Sequence, residues 1–173
     1  VAHSLSLLGL KITIIEKNDV FEIKNHKDHR TIAVSEGTKD FFTKIGVWSD
    51  IKNYTQPIKK IKVIDRKLTD NLEFDNNRRN SNLGYIIKNK YVLASLYNKL
   101  NTSKNISIFN NSNLLNFQTN QNKIITDIKN HTIVSDLNIA ADGKNSPVKK
   151  ILKTPTFSKN YNKTALVLTF THS

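Results

Sequence analysis

Residues 137–150 read LNIAADGKNSPVKK: an apolar run, a turn pair and a helix start in quick succession. Leu137 to Ala141 predicts a short buried strand. Asp142-Gly143 is a turn pair that ends it. Ser146 offers an oxygen that can cap free backbone N–H groups, and Pro147 suits the first helical position. Strand, tight polar turn and helix start is how α/β proteins place a phosphorylated ligand, because free N–H groups and the helix dipole favour an anion there. The same residues also serve as plain chain reversal, so the rest of the chain has to decide between the two.

At the N-terminal end, Ala2, Leu5 and Leu8 followed by Gly9 read as the tail of a helix with a glycine cap. Ile12, Ile14 and Ile15 then make a β-branched strand, closed by Glu16. Helix end, tight turn and a strand ending in an acid form the second half of a βαβ nucleotide-binding unit. In such a unit the acid accepts hydrogen bonds from ribose hydroxyls. Ending a strand in solvent is the alternative for Glu16. Counted back from Glu16, a GxGxxG loop falls before Val1. The chain has no Met and starts with Val1, so it reads as a fragment, and by itself it is expected not to retain a dinucleotide.

Residues 18–29 are polar and loop-like. Ile32 and Val34 read as a short extended piece and Ser35 as a helix cap. Phe41, Phe42 and Ile45 read as a core face, with Gly46 as the stop. Arg30 is read as lying just before a helix, and a guanidinium matches a phosphate bidentately; an exposed loop Arg is the alternative. The character changes at Pro57. Ile58, Ile61, Val63 and Ile64 predict a strand, Asp70-Asn71 a turn, and Leu72 and Phe74 a return strand. Tyr85 to Ile87 is another short strand. Tyr91 to Leu100 has helical spacing, and Ile106 and Ile108 predict a strand. Lys123–Asp127 and Thr132–Ser135 flank Lys129-Asn130 as a hairpin. A helix from Pro147 to Leu152 and a last strand from Ala165 to Thr171 complete the reading.

The 173 residues suffice for one domain with a core. Lys and Arg outnumber Asp and Glu by 27 to 14, giving a net charge of +13. The basic residues are spread along the chain in only short clusters, without a basic helix carrying interleaved aromatics. No nucleic-acid partner is therefore expected. Zero Cys excludes disulfides, thiolate metal sites and a Cys nucleophile. The five His never fall at metal spacing; His26 and His29 share a polar loop and are read as solvated, so no metal is expected. No apolar run approaches the roughly 20 residues of a membrane span. No nucleophile motif or paired carboxylate stands out, so no catalytic residue is assigned. If the chain is enzymatic, the hard chemistry belongs to a cofactor.

The order of these pieces resembles a known family. DHRTIAVS (28–35) is followed by GVW (46–48), LGYIIKN (83–89), AADGKNSPVKK (140–150) and YNKTALVLTFTH (161–172). The whole resembles the flavoprotein aromatic hydroxylases of the para-hydroxybenzoate hydroxylase fold, and looks most like the ubiquinone-biosynthesis hydroxylases. The D-x-R-[TS]-I-A-[LV]-S segment with its G-[VI]-W is the part most specific to that subgroup; A-D-G-x-x-S is shared more widely. The resemblance implies an α/β fold: a partial Rossmann-like FAD-binding domain over 1–56 and 90–158, with antiparallel substrate-domain segments at 57–89 and 159–173. It implies that Glu16 binds the adenosine ribose of FAD and that Arg30 lies along the cofactor near its diphosphate. Asp142 and Gly143 would belong to the motif contacting the diphosphate region and serving NAD(P)H; the Asp142 carboxylate, a poor direct partner for phosphate, is expected to accept from backbone or ribose hydroxyls and shape the turn, while the helix at Pro147 supplies the positive end. Where the family usually has Arg, this chain has Lys149, which leaves a point charge in place of a bidentate fork.

The implied reaction is hydroxylation of a phenolic ring on a polyprenylated ubiquinone precursor. O2 is the co-substrate, a flavin hydroperoxide the hydroxyl donor, and NAD(P)H or another donor the reductant. A cytoplasmic enzyme peripheral to the inner membrane, or part of a ubiquinone-synthesis complex, would follow. The alternatives are another FAD-dependent enzyme of the same fold, such as a halogenase or prenyl reductase, and an inactive remnant or basic binding protein.

Overall fold

In the computed structural model, residues 1–20, 22, 30–64, 72–76, 81–164 and 166 are described. The chain divides into two compact units, residues 1–12 with 20–107, and 13–19 with 108–173.

The first unit centres on an antiparallel sheet of β2 (Thr31–Ser35), β6 (Gly84–Lys88) and β3 (Thr55–Ile58), with β6 in the middle. Ser35 ends β2 and caps α2 (Glu36–Lys44), its hydroxyl accepting from the Thr38 amide at 3.2 Å. Gly46 stops α2 at φ +71°, a conformation glycine adopts without strain. A short α3 (Trp48–Ile51) and a 3-10 turn then return the chain to β3. Val34, Ile45, Val47, Ile51, Ile87 and Val92 form the core, with Phe42, Trp48 and Leu96 packed against it. Each such buried side chain contributes about 1.5–3 kcal/mol of hydrophobic stabilisation. Val92 and Leu96 sit one helical turn apart on α4 (Asn89–Thr102), as the spacing of 91–100 predicted.

In the same unit, β4 (Lys60–Val63) pairs antiparallel with β5 (Leu72–Asp75). The predicted hairpin is there; its Asp70-Asn71 turn lies outside the described residues. Ile58 is not continuous with it, since it ends β3 in a different sheet. Strand alternation places Ile61, Val63, Leu72 and Phe74 on one face. Lys60 and Lys62 lie on the other and pair with Glu73 at 2.7 and 3.7 Å.

β1 (Ile12–Ile15) pairs with β7 (Ile106–Phe109). The Ile12 amide donates to Asn105 O at 2.8 Å and the Glu16 amide to Phe109 O at 3.0 Å, so donors and acceptors advance together and the strands run parallel. The second unit adds a meander of β8 (Leu114–Asn120), β9 (Lys123–Ile128) and β10 (His131–Ser135). Asn130 turns β9 into β10 at φ +65°. β8 was not foreseen: Asn116, Gln118 and Asn120 dilute its apolar signal, and a register shift between Leu114 and Asn116 breaks its alternation. α5 (Pro147–Ile151) follows.

Leu137–Ala141 is not the buried strand its composition predicts. It carries no strand, and Leu137 and Ile139 are 70% and 52% exposed. A strand is defined by its ladder, and no described strand pairs with this stretch. It is held by side chains: Asn138 Nδ2 donates to Thr126 Oγ1 and its Oδ1 accepts from the Ser135 hydroxyl, both at 2.8 Å. The predicted Ala165–Thr171 strand falls outside the described residues, except Leu166, which is in no strand.

Candidate functional site

The most organised polar constellation in the second unit surrounds the Asp142-Gly143 turn. The Ser146 side chain is almost fully buried and works in two directions. Its hydroxyl donates to Asp142 Oδ2 at 2.8 Å and accepts from the Lys149 amide at 3.0 Å. The Val148 amide also donates to Asp142 Oδ2, at 3.2 Å. Two side chains thus cap the first turn of α5, while Pro147 has no N–H to satisfy. Gly143 turns the chain at φ +75°, where a Cβ would be strained, although the space beside it is open.

This alters the reading of the helix start as a free anion cradle. The second and third amides of α5 are already satisfied, and the carboxylate of Asp142 takes up the positive end of the helix itself. The Ser146 hydroxyl above all, with the Val148 and Asp142 amides and the Lys149 charge, holds the Asp142 carboxyl below the usual carboxylate range against the opposing effect of desolvation. Asp142 is therefore the anion that shapes the turn.

Glu16 closes β1 as predicted. Its backbone is held on both sides, the amide by Phe109 O and the carbonyl by the Ser112 amide at 2.9 Å. Its Oε1 accepts from the Asn18 amide at 2.9 Å, which fixes the direction of a half-buried carboxylate. A carboxylate offers about four lone-pair sites, so acceptor capacity remains beyond this bond.

Arg30 lies in the first unit. It is exposed, and its carbonyl accepts from the Asn89 amide at 2.9 Å. It stands at the head of β2, six residues before the start of α2, and not directly before a helix as the sequence suggested. Glu16, Asp142 and Gly143 belong to the second unit. His26 and His29 lie outside the described residues, and among the described residues no cluster of three His, Cys, Asp or Glu could hold a metal.

One feature escaped the sequence reading. Beside α5 lies a groove of about 400 Å³ lined by Lys144, Ser146, Lys149, Lys150, Lys153 and Thr154. Of its lysines, only Lys149-Lys150 form one of the short basic clusters legible in the sequence, beside Lys59-Lys60 and Arg78-Arg79. Lys144, in the turn before α5, and Lys153, two residues past its end, line the same groove.

Comparison with known proteins gives this architecture a context. Residues 1–172 match a protein family described as FAD binding domain. A ubiquinone biosynthesis monooxygenase of Dictyostelium discoideum, COQ6, is 29% identical over 92% of this chain and 37% of its own length. The ubiquinone hydroxylase UbiM of Neisseria meningitidis is 25% identical over 99% of this chain and 39% of its own. The chain thus spans little more than a third of these curated relatives. Among solved structures, PqsL, described as a probable FAD-dependent monooxygenase from Pseudomonas aeruginosa, superposes with a TM-score of 0.76 at 11% identity. That match covers 92% of this chain and 43% of PqsL, and the likeness is one of fold.

Proposed function

Because the chain belongs to the FAD binding domain family over residues 1–172, we propose that it holds FAD in a monooxygenase that hydroxylates a phenolic ring of a polyprenylated ubiquinone precursor. The observation that carries the cofactor reading is the pinned Glu16 carboxylate at the end of β1. An acceptor-only group with spare lone pairs fits the hydroxyl donors of a ribose. The donor set elsewhere is compatible: the Asp142-Gly143 turn is held by the chain's own Ser146 and Val148, and Gly143 leaves open space beside its backbone. The names of the relatives, aligned over nearly the whole chain, support the substrate class.

In this reading Glu16 accepts from the adenosine ribose, and the turn held by Asp142 presents the Gly143 backbone to the diphosphate region. Arg30 supplies a bidentate guanidinium to the diphosphate; that role rests on the resemblance of DHRTIAVS alone. When bound, FAD supplies the electron-transfer and oxygen chemistry, with O2 as co-substrate and NAD(P)H or another donor as reductant. The cofactor-holding segments are 1–56 and 90–158, and 57–89 with 159–173 are substrate-sheet segments. No described helix is long and apolar enough to cross a membrane. In this reading a lipid-tailed substrate implies peripheral contact with the inner membrane from the cytoplasmic side, or docking in a ubiquinone-synthesis complex.

Complementation tests the reading. The gene product carrying this chain is expressed in a strain lacking a ubiquinone-ring hydroxylase, and quinones are profiled by mass spectrometry. Restored ubiquinone with the native sequence is expected, together with accumulation of unhydroxylated polyprenyl phenol for Glu16→Ala. A colourless, flavin-free product that leaves the quinone profile unchanged would sink the reading. The fold is also shared with proteins of other chemistry, including one described as a Diels-Alderase. A flavin-bearing product without hydroxylation would accordingly favour a halogenase or prenyl reductase, and a flavin-free one a remnant or basic binding protein.

A further inference from the structure

Past Asp142 the chain has no acid at all, and from Gly143 to Ser173 it has six lysines. Asp142 itself is engaged by Ser146 and the Val148 amide. Four of these lysines, Lys144, Lys149, Lys150 and Lys153, line the groove beside α5 with the Ser146 and Thr154 residues. Among the described residues none of the four is in an ion pair within 4 Å, and Lys149 alone acts on a nearby carboxylate, that of Asp142. Large apolar side chains stand exposed within the same stretch: Leu152 at 59%, Phe157 at 96% and Tyr161 at 71%. Lys159 Nζ lies 5.4 Å from the centre of the Tyr161 ring. Residues 154–164 form neither helix nor strand.

Lysines alone would suit any phosphate. Lysines interleaved with bare aromatic and aliphatic side chains suit a surface that is anionic outside and apolar just beneath. We propose that residues 144–161 dock on anionic phospholipid, the lysine groove taking headgroup phosphates while Leu152, Phe157 and Tyr161 enter the interfacial layer. A soluble phosphate would occupy the groove but leave the three apolar side chains in water. A nucleic acid would use the lysines and stack on Phe157 and Tyr161, but would leave Leu152 in water. This deepens the membrane-contact reading above and rests on it for the class of partner.

The test is co-sedimentation of the gene product carrying this chain with phosphatidylcholine vesicles, with and without phosphatidylglycerol. Binding is expected to need phosphatidylglycerol and to weaken with salt. The triple charge reversal Lys150→Glu, Lys153→Glu, Lys159→Glu should lower it about tenfold or more, and the Lys→Arg triple should keep it. Phe157→Ser should weaken binding without altering its salt dependence. Unchanged far-UV circular dichroism ensures that folded chains are compared. Equal binding to neutral vesicles, retention by the triple reversal, or no effect of Phe157→Ser would overturn the proposal. So would release by millimolar inorganic pyrophosphate, which would assign the groove to a soluble phosphate. Release by an oligonucleotide would assign it to nucleic acid. The assay involves neither flavin nor turnover, so its failure leaves the hydroxylase reading standing.

Discussion

Ser146 is the residue through which the turn is built, because its buried hydroxyl both donates to Asp142 and accepts from Lys149. Ser146→Ala removes the cap and one support of the carboxylate, and should cost about 1 kcal/mol of stability in urea denaturation. Asp142 adds a pH dependence. Its folded-state pKa is depressed, so its contribution is complete above the unfolded value and fades as pH falls through the folded one. Exchange of the Val148 amide should therefore accelerate below about pH 4, relative to other amides of α5, and Asp142→Asn should abolish that selective change. Gly84 shows a different residue-scale constraint. A Cβ there would stand 2.6 Å from the Val34 carbonyl oxygen, across the β2–β6 pairing. Backbone cannot give as a flexible side chain can, so Gly84→Ala should destabilise by about 1–3 kcal/mol, read as a lowered urea midpoint with unchanged slope. The sequence offered this glycine only as part of LGYIIKN; the close approach exists only once β2 and β6 are paired.

Among the elements, α3 and α4 are joined by a polar clamp beside the apolar core. Asp50 Oδ2 accepts from the buried Ser95 hydroxyl at 2.8 Å and from Lys99 Nζ at 3.3 Å. The Ser95 hydroxyl, followed by Lys99, lowers the Asp50 pKa against desolvation. The stabilisation is again present above the unfolded value and lost on acidification. Asp50→Asn should flatten the fall in melting temperature below about pH 4. Its side chain is 39% exposed, so solvent screening keeps the ion-pair part small. Apolar packing outweighs it: Ile51→Ala, at a position 1% exposed, should cost about 2–5 kcal/mol in the same assay. α4 was legible from the spacing of its apolar residues, whereas the four-residue α3 was not read from the sequence. β8 was not, since its polar residues and irregular register erase the two-residue period. Leu137–Ala141 failed in the opposite sense, because an apolar run records a preference for burial but does not supply a neighbouring strand.

At the scale of the whole molecule, a net charge of +13 makes like-charge repulsion general. Raising ionic strength from about 0.01 to 0.15 M shortens the screening length from about 30 to 8 Å, so the melting temperature should rise. A fall would show that attractive pairs such as Lys60–Glu73 outweigh the general repulsion. The sequence by itself determined the α/β class, the strand closed by Glu16, the capped start of α5 and the family, because these depend on local periodicity, on turn chemistry and on residue types at fixed spacing. Only the tertiary structure decided that Asp142 occupies the helix start as its own anion, and that Arg30 heads a strand. It likewise decided that Gly84 faces a carbonyl and that four separated lysines line one groove. The Gly84 contact and the strand headed by Arg30 depend on which backbone lies opposite, a relation between distant residues; the Asp142 bonds and the groove depend on the path of the turn into α5, which residue types alone do not fix.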